Sequence, residues 1–252
     1  MGTSAGRGAD GFRQRGQQVT RLETFVDAAF AFSLTLLVIV FDDLPDSVAE
    51  LRAALRQVPA FAFCFAMLAM FWAAHNRWSR RFGLEDARST LLSLGMVFVV
   101  MIYVYPLRMV ASGAMAFFTD GWAPSAFRID PARGMLDLQT MFMVYAVGFG
   151  VLSWLLWGLN AHALREADAL GLDALERHET RNEIGIHRIL VASAVLSLLG
   201  SLLLLAQAQH EQPPGWVASL PVWVYALIGP AISLYMWRRA RLRPVTPEAS
   251  AS

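Results

Sequence analysis

The stretch RLETFVDAAFAFSLTLLVIVF, residues 21–41, decides the fold. Its length suits one crossing of a hydrocarbon core about 30 Å thick, for which a helix needs roughly 17–25 predominantly apolar residues. Yet it begins with Arg21, Glu23 and Asp27 and carries hydroxyls at Ser33 and Thr35. A charge on a membrane helix costs about 2.5–3.5 kcal/mol at the bilayer centre on insertion scales, so such groups face a partner helix or a watery path. The segment reads as a membrane helix that does more than anchor.

The remaining chain repeats the apolar theme. Of its 252 residues 56% are hydrophobic and 16% charged, and the mean hydropathy is +0.44, too apolar for an ordinary soluble domain. Apolar blocks at 58–76, 91–107, 141–159, 189–206 and 216–237 join 22–41 to give six expected spans. The blocks are continuous rather than alternating and rich in Leu, Ala, Met and Gly, which favours helices over barrel strands. The expected fold class is all-α, an integral membrane protein with six transmembrane helices per subunit.

Every one of the 21 basic residues is arginine, and sixteen of them fall before the first block, after the second, between the fourth and fifth, or after the sixth. By the positive-inside rule that side is cytoplasmic, so both termini are expected inside. The first opposite loop is acidic, with Asp42, Asp43, Asp46 and Glu50. Residues 1–20, rich in Gly, Arg and Gln, are expected to be a disordered cytoplasmic leader rather than a signal peptide. The channel-forming body is expected at 21–238 and a cytoplasmic tail at 239–252. The segment 160–188 has helical composition broken at Gly171, and should prolong the fourth and fifth helices beyond the membrane.

The chemistry of a catalyst is missing from the pattern. His75, His162, His178, His187 and His210 lack zinc-like spacing, and no phosphate loop, GxSxG or HExxH occurs, so neither enzyme activity nor a cofactor or bound metal is expected. Cys64, the single cysteine, lies within an apolar block and suits packing. A net charge of +1 gives no sign of a nucleic-acid partner.

At about 100° per residue, Phe32, Thr35 and Ile39 fall within roughly 60° of one another, flanked by Ala28 and Leu36, while Asp27 lies about 140° from Phe32. From periodicity alone this stripe reads as ordinary helix packing sooner than as the wall of a path.

The residues RLETFVD (21–27) resemble the RxxxFSD signature of the transmembrane protein 175 family of endosomal and lysosomal potassium channels and their prokaryotic relatives. The run DAAFAFSLTLLVI continues the likeness, with Thr35 eight residues after Asp27. FWAAHNRW, with Trp72, His75 and Asn76, and YVYPL, with Pro106, extend it through the third block, about two fifths of the chain. The resemblance implies a homotetramer whose first helices line a central pore that conducts potassium through a hydrophobic constriction without a TVGYG filter. Carried onto this sequence, it puts Phe32, Thr35, Leu36 and Ile39 along the pore, with permeant potassium near Thr35. Arg21, Phe25, Asp27, His75 and Asn76 fall on the polar network that braces the helix. Its implied partners are a second copy of itself, the lipid bilayer and monovalent cations, in a bacterial plasma (inner) membrane.

Two departures stand out. The signature serine is Val26, removing a hydroxyl near Asp27, and the constriction position, aliphatic in the family, is Phe32. The start of the third block offers Thr90, Ser93 and Gly95 where the family has an asparagine. Alternative readings are a proton-conducting or proton-gated channel of the same architecture, with His75 as the titrating group, or a non-conducting scaffold or orphan transporter.

Overall fold

The computed structural model describes residues 11–16, 18–39, 46–128, 130, 133–208, 213–242 and 244, without the side chains of residues 38 and 39. The described chain is helical: α1 (Arg21–Ile39), α2 (Val48–Leu55), α3 (Val58–Phe82), α4 (Ala87–Phe118), α5 (Gly134–Arg165), α6 (Ala174–Gln207), α7 (Gly215–Ala218), α8 (Leu220–Trp223), a 3-10 turn (Val224–Leu227) and α9 (Ile228–Ala240). Among the described residues five stretches are long and apolar enough to cross a membrane: Val58–Phe82, Ala87–Phe118, Gly134–Arg165, Ala174–Gln207 and Leu220–Ala240. They contain four of the last five expected spans and overlap the last, 216–237, from Leu220 onward. The first expected span is α1, and its residues 40 and 41 lie outside the described residues.

Local chemistry sets the helix ends. Asp86 caps α4 by accepting from the Ser89 N–H, and Asp173 with Glu176 closes a reciprocal capping box at the start of α6. Gly83, in the left-handed region at φ 59°, ends α3. The break expected at Gly171 is real: its φ is +60°, and α5 and α6 run past the apolar blocks on either side of it.

The helices α3 to α6 are longer than their apolar blocks. The expected outer loop 108–140 is helical at both ends, because α4 continues through Pro106 to Phe118 and α5 starts at Gly134. Proline removes one N–H and so one bond of the helix ladder; the apolar run beyond it, with Leu107, Val110 and Ala111 buried, holds the helix together. The last span is interrupted, as Pro221, Gly229 and Pro230 suggest: α8 passes through the 3-10 turn into α9.

In the bundle, α1 packs on α3 and α4, α5 lies between α4 and α6, and α9 rests on α6. The core joins Phe71, Tyr103, Tyr145, Phe149, Leu152 and Leu156. Two glycines permit close approaches between helices, Gly148 between α5 and α4 and Gly185 between α6 and α9. A Cβ on Gly148 would lie 2.4 Å from the Tyr103 ring, and one on Gly185 would lie 2.0 Å from the Tyr235 hydroxyl.

The arginine-rich helix ends gather at one end of the bundle. There Arg81 pairs with Glu183 at 3.0 Å, Arg239 donates to Asn182 at 2.7 Å, and His162 pairs with Asp86. The leader expected to be disordered is in part ordered here. Residues 1–10 lie outside the described residues, but 11–16 lie against α3 and α6, because Phe12 is fully buried beside Phe82 and Arg13 and Arg15 bind Glu176.

Candidate functional site

The first helix divides into two faces. Glu23, Val26, Phe30, Ser33 and Leu37 are buried, at helical spacing, against α3 and α4. The opposite face carries Arg21, Thr24, Phe25, Ala28, Ala31, Phe32 and Thr35, all exposed. Phe32 is 50% and Phe25 53% exposed, so no part of the described chain covers this stripe. It combines two phenyl rings, two small alanines and two threonine hydroxyls.

The hydroxyls are already committed as donors. Thr35 Oγ1 donates to the Ala31 carbonyl at 3.0 Å, and Ser33 Oγ donates to that of Ala29 at 2.9 Å. Back-bonding of this kind spends the hydroxyl hydrogen and leaves oxygen lone pairs free. On exposed Thr35 those lone pairs can accept from water or approach a cation; buried Ser33 turns toward the bundle.

Of the expected stripe, Phe32 and Thr35 share the exposed face, and Leu36 sits at its edge, partly buried and packed on the core. The side chain of Ile39 lies outside the described residues. Of the expected bracing group, Asp27 accepts from the Trp72 indole N–H at 2.7 Å. His75 is buried and shares a hydrogen bond of 2.9 Å with Ser93 Oγ. That serine, one of three polar or small residues offered at the start of the third block, supplies the histidine's partner. Asn76 is partly buried, and its side chain makes no hydrogen bond among the described residues.

Two residues of the expected bracing group lie on the exposed face instead of against the bundle. Phe25 sits seven residues before Phe32, two turns away on the same face. Arg21 is exposed too and makes no hydrogen bond or ion pair among the described residues. The charge that ties the helix base to its neighbour is Glu23, 3% exposed, with its Oε1 3.2 Å from Arg80 Nε. Val26, at the signature serine position, is fully buried in the apolar core. Glu23 could have been found from its register with Val26 and Phe30; Trp72 and Arg80 are joined to α1 only through tertiary packing.

No group of three or more His, Cys, Asp or Glu side chains that could hold a metal ion occurs among the described residues. A small cavity of about 20 Å³ lies between Leu37, Cys64, Arg108 and Ser112, where Arg108 donates to Gln57 at 3.3 Å. It has room for about one water.

Fold and site together define a multi-pass helical membrane protein whose first helix keeps one mixed polar and apolar face uncovered. Residues 21–106 match the family model described as endosomal/lysosomal potassium channel TMEM175. A protein of Marivirga tractuosa named as a potassium channel is 30% identical over 200 residues, 76% of this chain and 78% of that protein. The crystal structure of the potassium channel MtTMEM175, a threonine-to-alanine variant in complex with a nanobody fusion, superposes with a TM-score of 0.75. It is 25% identical and covers 94% of this chain and all of its own. The chain belongs to the TMEM175 family.

Proposed function

We propose that this protein is a potassium-permeable cation channel, in which four copies turn the exposed face of α1 toward a shared axis. The observation that carries the reading is the one-sided packing of α1: charged and aromatic neighbours hold its back, and Phe32 and Thr35 stand uncovered at the front. Small residues such as Ala28 and Ala31 let helices approach closely in a membrane, where packing rather than hydrophobicity drives association. The potassium channels found among its relatives support the choice of ion.

In this reading six helices cross a bacterial plasma membrane, with both termini and the arginine-rich bundle end in the cytoplasm. The ring of Phe32 side chains forms the narrow layer and gates by excluding water, and the Thr35 oxygens, with lone pairs outward, meet the potassium that passes it. No TVGYG loop occurs in the sequence, so selection rests on pore width and these oxygens. Purified protein in liposomes should pass potassium faster than sodium under an imposed gradient. Equal leakage of both ions, or none, would show the reading to be wrong.

A further inference from the structure

The base of α1 is fixed from a distance. Glu176, in the first turn of α6, is fully buried, and a buried carboxylate is tolerated only when its charge and lone pairs are met. Here they are met by a segment just ahead of α1. Arg15 reaches it with a two-pronged fork, Nη1 to Oε1 at 3.1 Å and Nη2 to Oε2 at 2.9 Å. Arg13 adds Nη2 to Oε2 at 3.0 Å and its backbone N–H to Oε1 at 2.9 Å. Two guanidinium groups on one carboxylate fix position as well as charge.

The segment that carries them is itself strapped to α3. The backbone N–H groups of Arg15 and Gly16 both donate to the Arg80 carbonyl at 3.2 Å, meeting a C-terminal helix carbonyl that has no partner of its own in the helix. Only glycine fits at position 16, where a Cβ would stand 2.5 Å from the Ser79 carbonyl oxygen. Phe12 locks the other end of the strap, edge-on to Phe82 with ring centres 5.8 Å apart and under the Arg81 guanidinium at 4.4 Å. Arg80 then turns back: Nη1 donates to the Gly16 carbonyl at 3.2 Å, and Nε lies 3.2 Å from the buried Glu23 carboxylate on the first turn of α1.

We propose that Glu176 is a positioning residue for the pore-facing helix, acting through the strap of residues 12–16 and Arg80 to set the base of α1 and so the fraction of time the pore is open. The inference rests on the channel reading for its consequence, while the mechanical link stands on the contacts alone. The helix α1 packs on α3 and α4, and the strap is a route by which the junction of α5 and α6 reaches its first turn, beside the direct Arg81–Glu183 pair between α3 and α6. Movement of that junction therefore reaches Glu23 in three steps: carboxylate to strap, strap to Arg80, Arg80 to α1.

Two measurements on the full chain test this. In amide hydrogen exchange, Glu176→Gln should speed exchange at residues 21–27 as well as in the strap; a change confined to the strap and residues 170–176 overturns the link, whatever the protein conducts. In single-channel recordings, Glu176→Gln and Glu23→Gln should each shift open probability in the same direction by about threefold or more, and the double variant by no more than the larger single effect. Unitary conductance and the potassium-to-sodium reversal potential should stay as in the wild type, which a general loss of structure would not allow. Unaltered open probability or additive effects overturn the positioning role. If Glu176→Gln fails to fold, Arg15→Gln removes one of the two guanidinium groups and is held to the same outcomes. A wild type without potassium current contradicts the channel reading, whereas the exchange result still decides the link.

Discussion

At the scale of single residues, two aromatic side chains at α1, its own Phe32 and Trp72 of α3, have different duties. Phe32 is half exposed on the uncovered face of α1, so Phe32→Ala should change the stability of the single chain by no more than about 0.5 kcal/mol, as surface substitutions do. If the ring is the narrow layer, the same change widens it, and unitary conductance in planar bilayers should rise; unchanged conductance places the constriction elsewhere. Trp72 does the reverse. Its indole N–H is the donor to Asp27, and Trp72→Phe keeps the ring but strands the carboxylate. A hydrogen bond to a charged group contributes about 1.5–3 kcal/mol, so detergent-solubilised Trp72→Phe should unfold at lower temperature while the ion preference of any current is retained. The sequence made Phe32 and Thr35 legible because the helical period is a local property. The same arithmetic places Phe25 with Phe32, whereas the motif's likeness puts it in the bracing group.

At the scale of elements, the contact between α4 and α5 rests on a glycine. A Cβ on Gly148 would lie 2.4 Å from Cδ2 of Tyr103, a ring that is itself buried. Overpacking of a filled core costs about 1–3 kcal/mol, and Gly148→Ala should lower the unfolding temperature accordingly; recovery in Gly148→Ala/Tyr103→Leu, which makes room, would identify the clash as the cause. The N-terminal end of α4 and the C-terminal end of α5 are joined by Asp86 and His162. Partial burial alone would raise the Asp86 carboxyl, but the Ser89 backbone N–H and the His162 ring outweigh it and bring it down to about 2. A carboxyl with a lowered folded value stabilises fully above its unfolded value of about 3.9 and loses that contribution as pH falls through the folded value. The melting-temperature gap between wild type and Asp86→Asn should therefore be constant at neutral pH and close between about pH 4 and pH 2. Helix existence was legible from the apolar blocks, and the break at Gly171 from turn chemistry. The extra turns of α4 beyond Pro106 were not, because tertiary burial of Val110 and Ala111 overrode a local stop signal. The order in residues 11–16 was hidden for a related reason: its partner, Glu176, is 163 residues from Arg13.

At the scale of the whole molecule, the uneven cover of α1 is the feature that asks for company. Its rear face is built into the bundle, whereas Phe25, Ala28, Phe32 and Thr35 stand in an exposed row. A lipid-facing surface has no use for the hydroxyls of Thr24 and Thr35, but a closed ring of identical subunits brings each residue near its own copies around the axis. Native mass spectrometry from detergent should accordingly find an assembly of four 27.9 kDa chains. Cys64 is buried and unpaired, so a cysteine at an exposed position is the thiol an oxidant reaches first. Ala28→Cys should then cross-link neighbouring chains in pairs, since each chain offers one such thiol. Leu203→Cys, on α6 and 71% exposed, should not, because in the proposed ring that face is turned away from the axis. Cross-linking at position 203 with none at position 28 would turn the outer face of α6 to the interface and remove α1 from the axis.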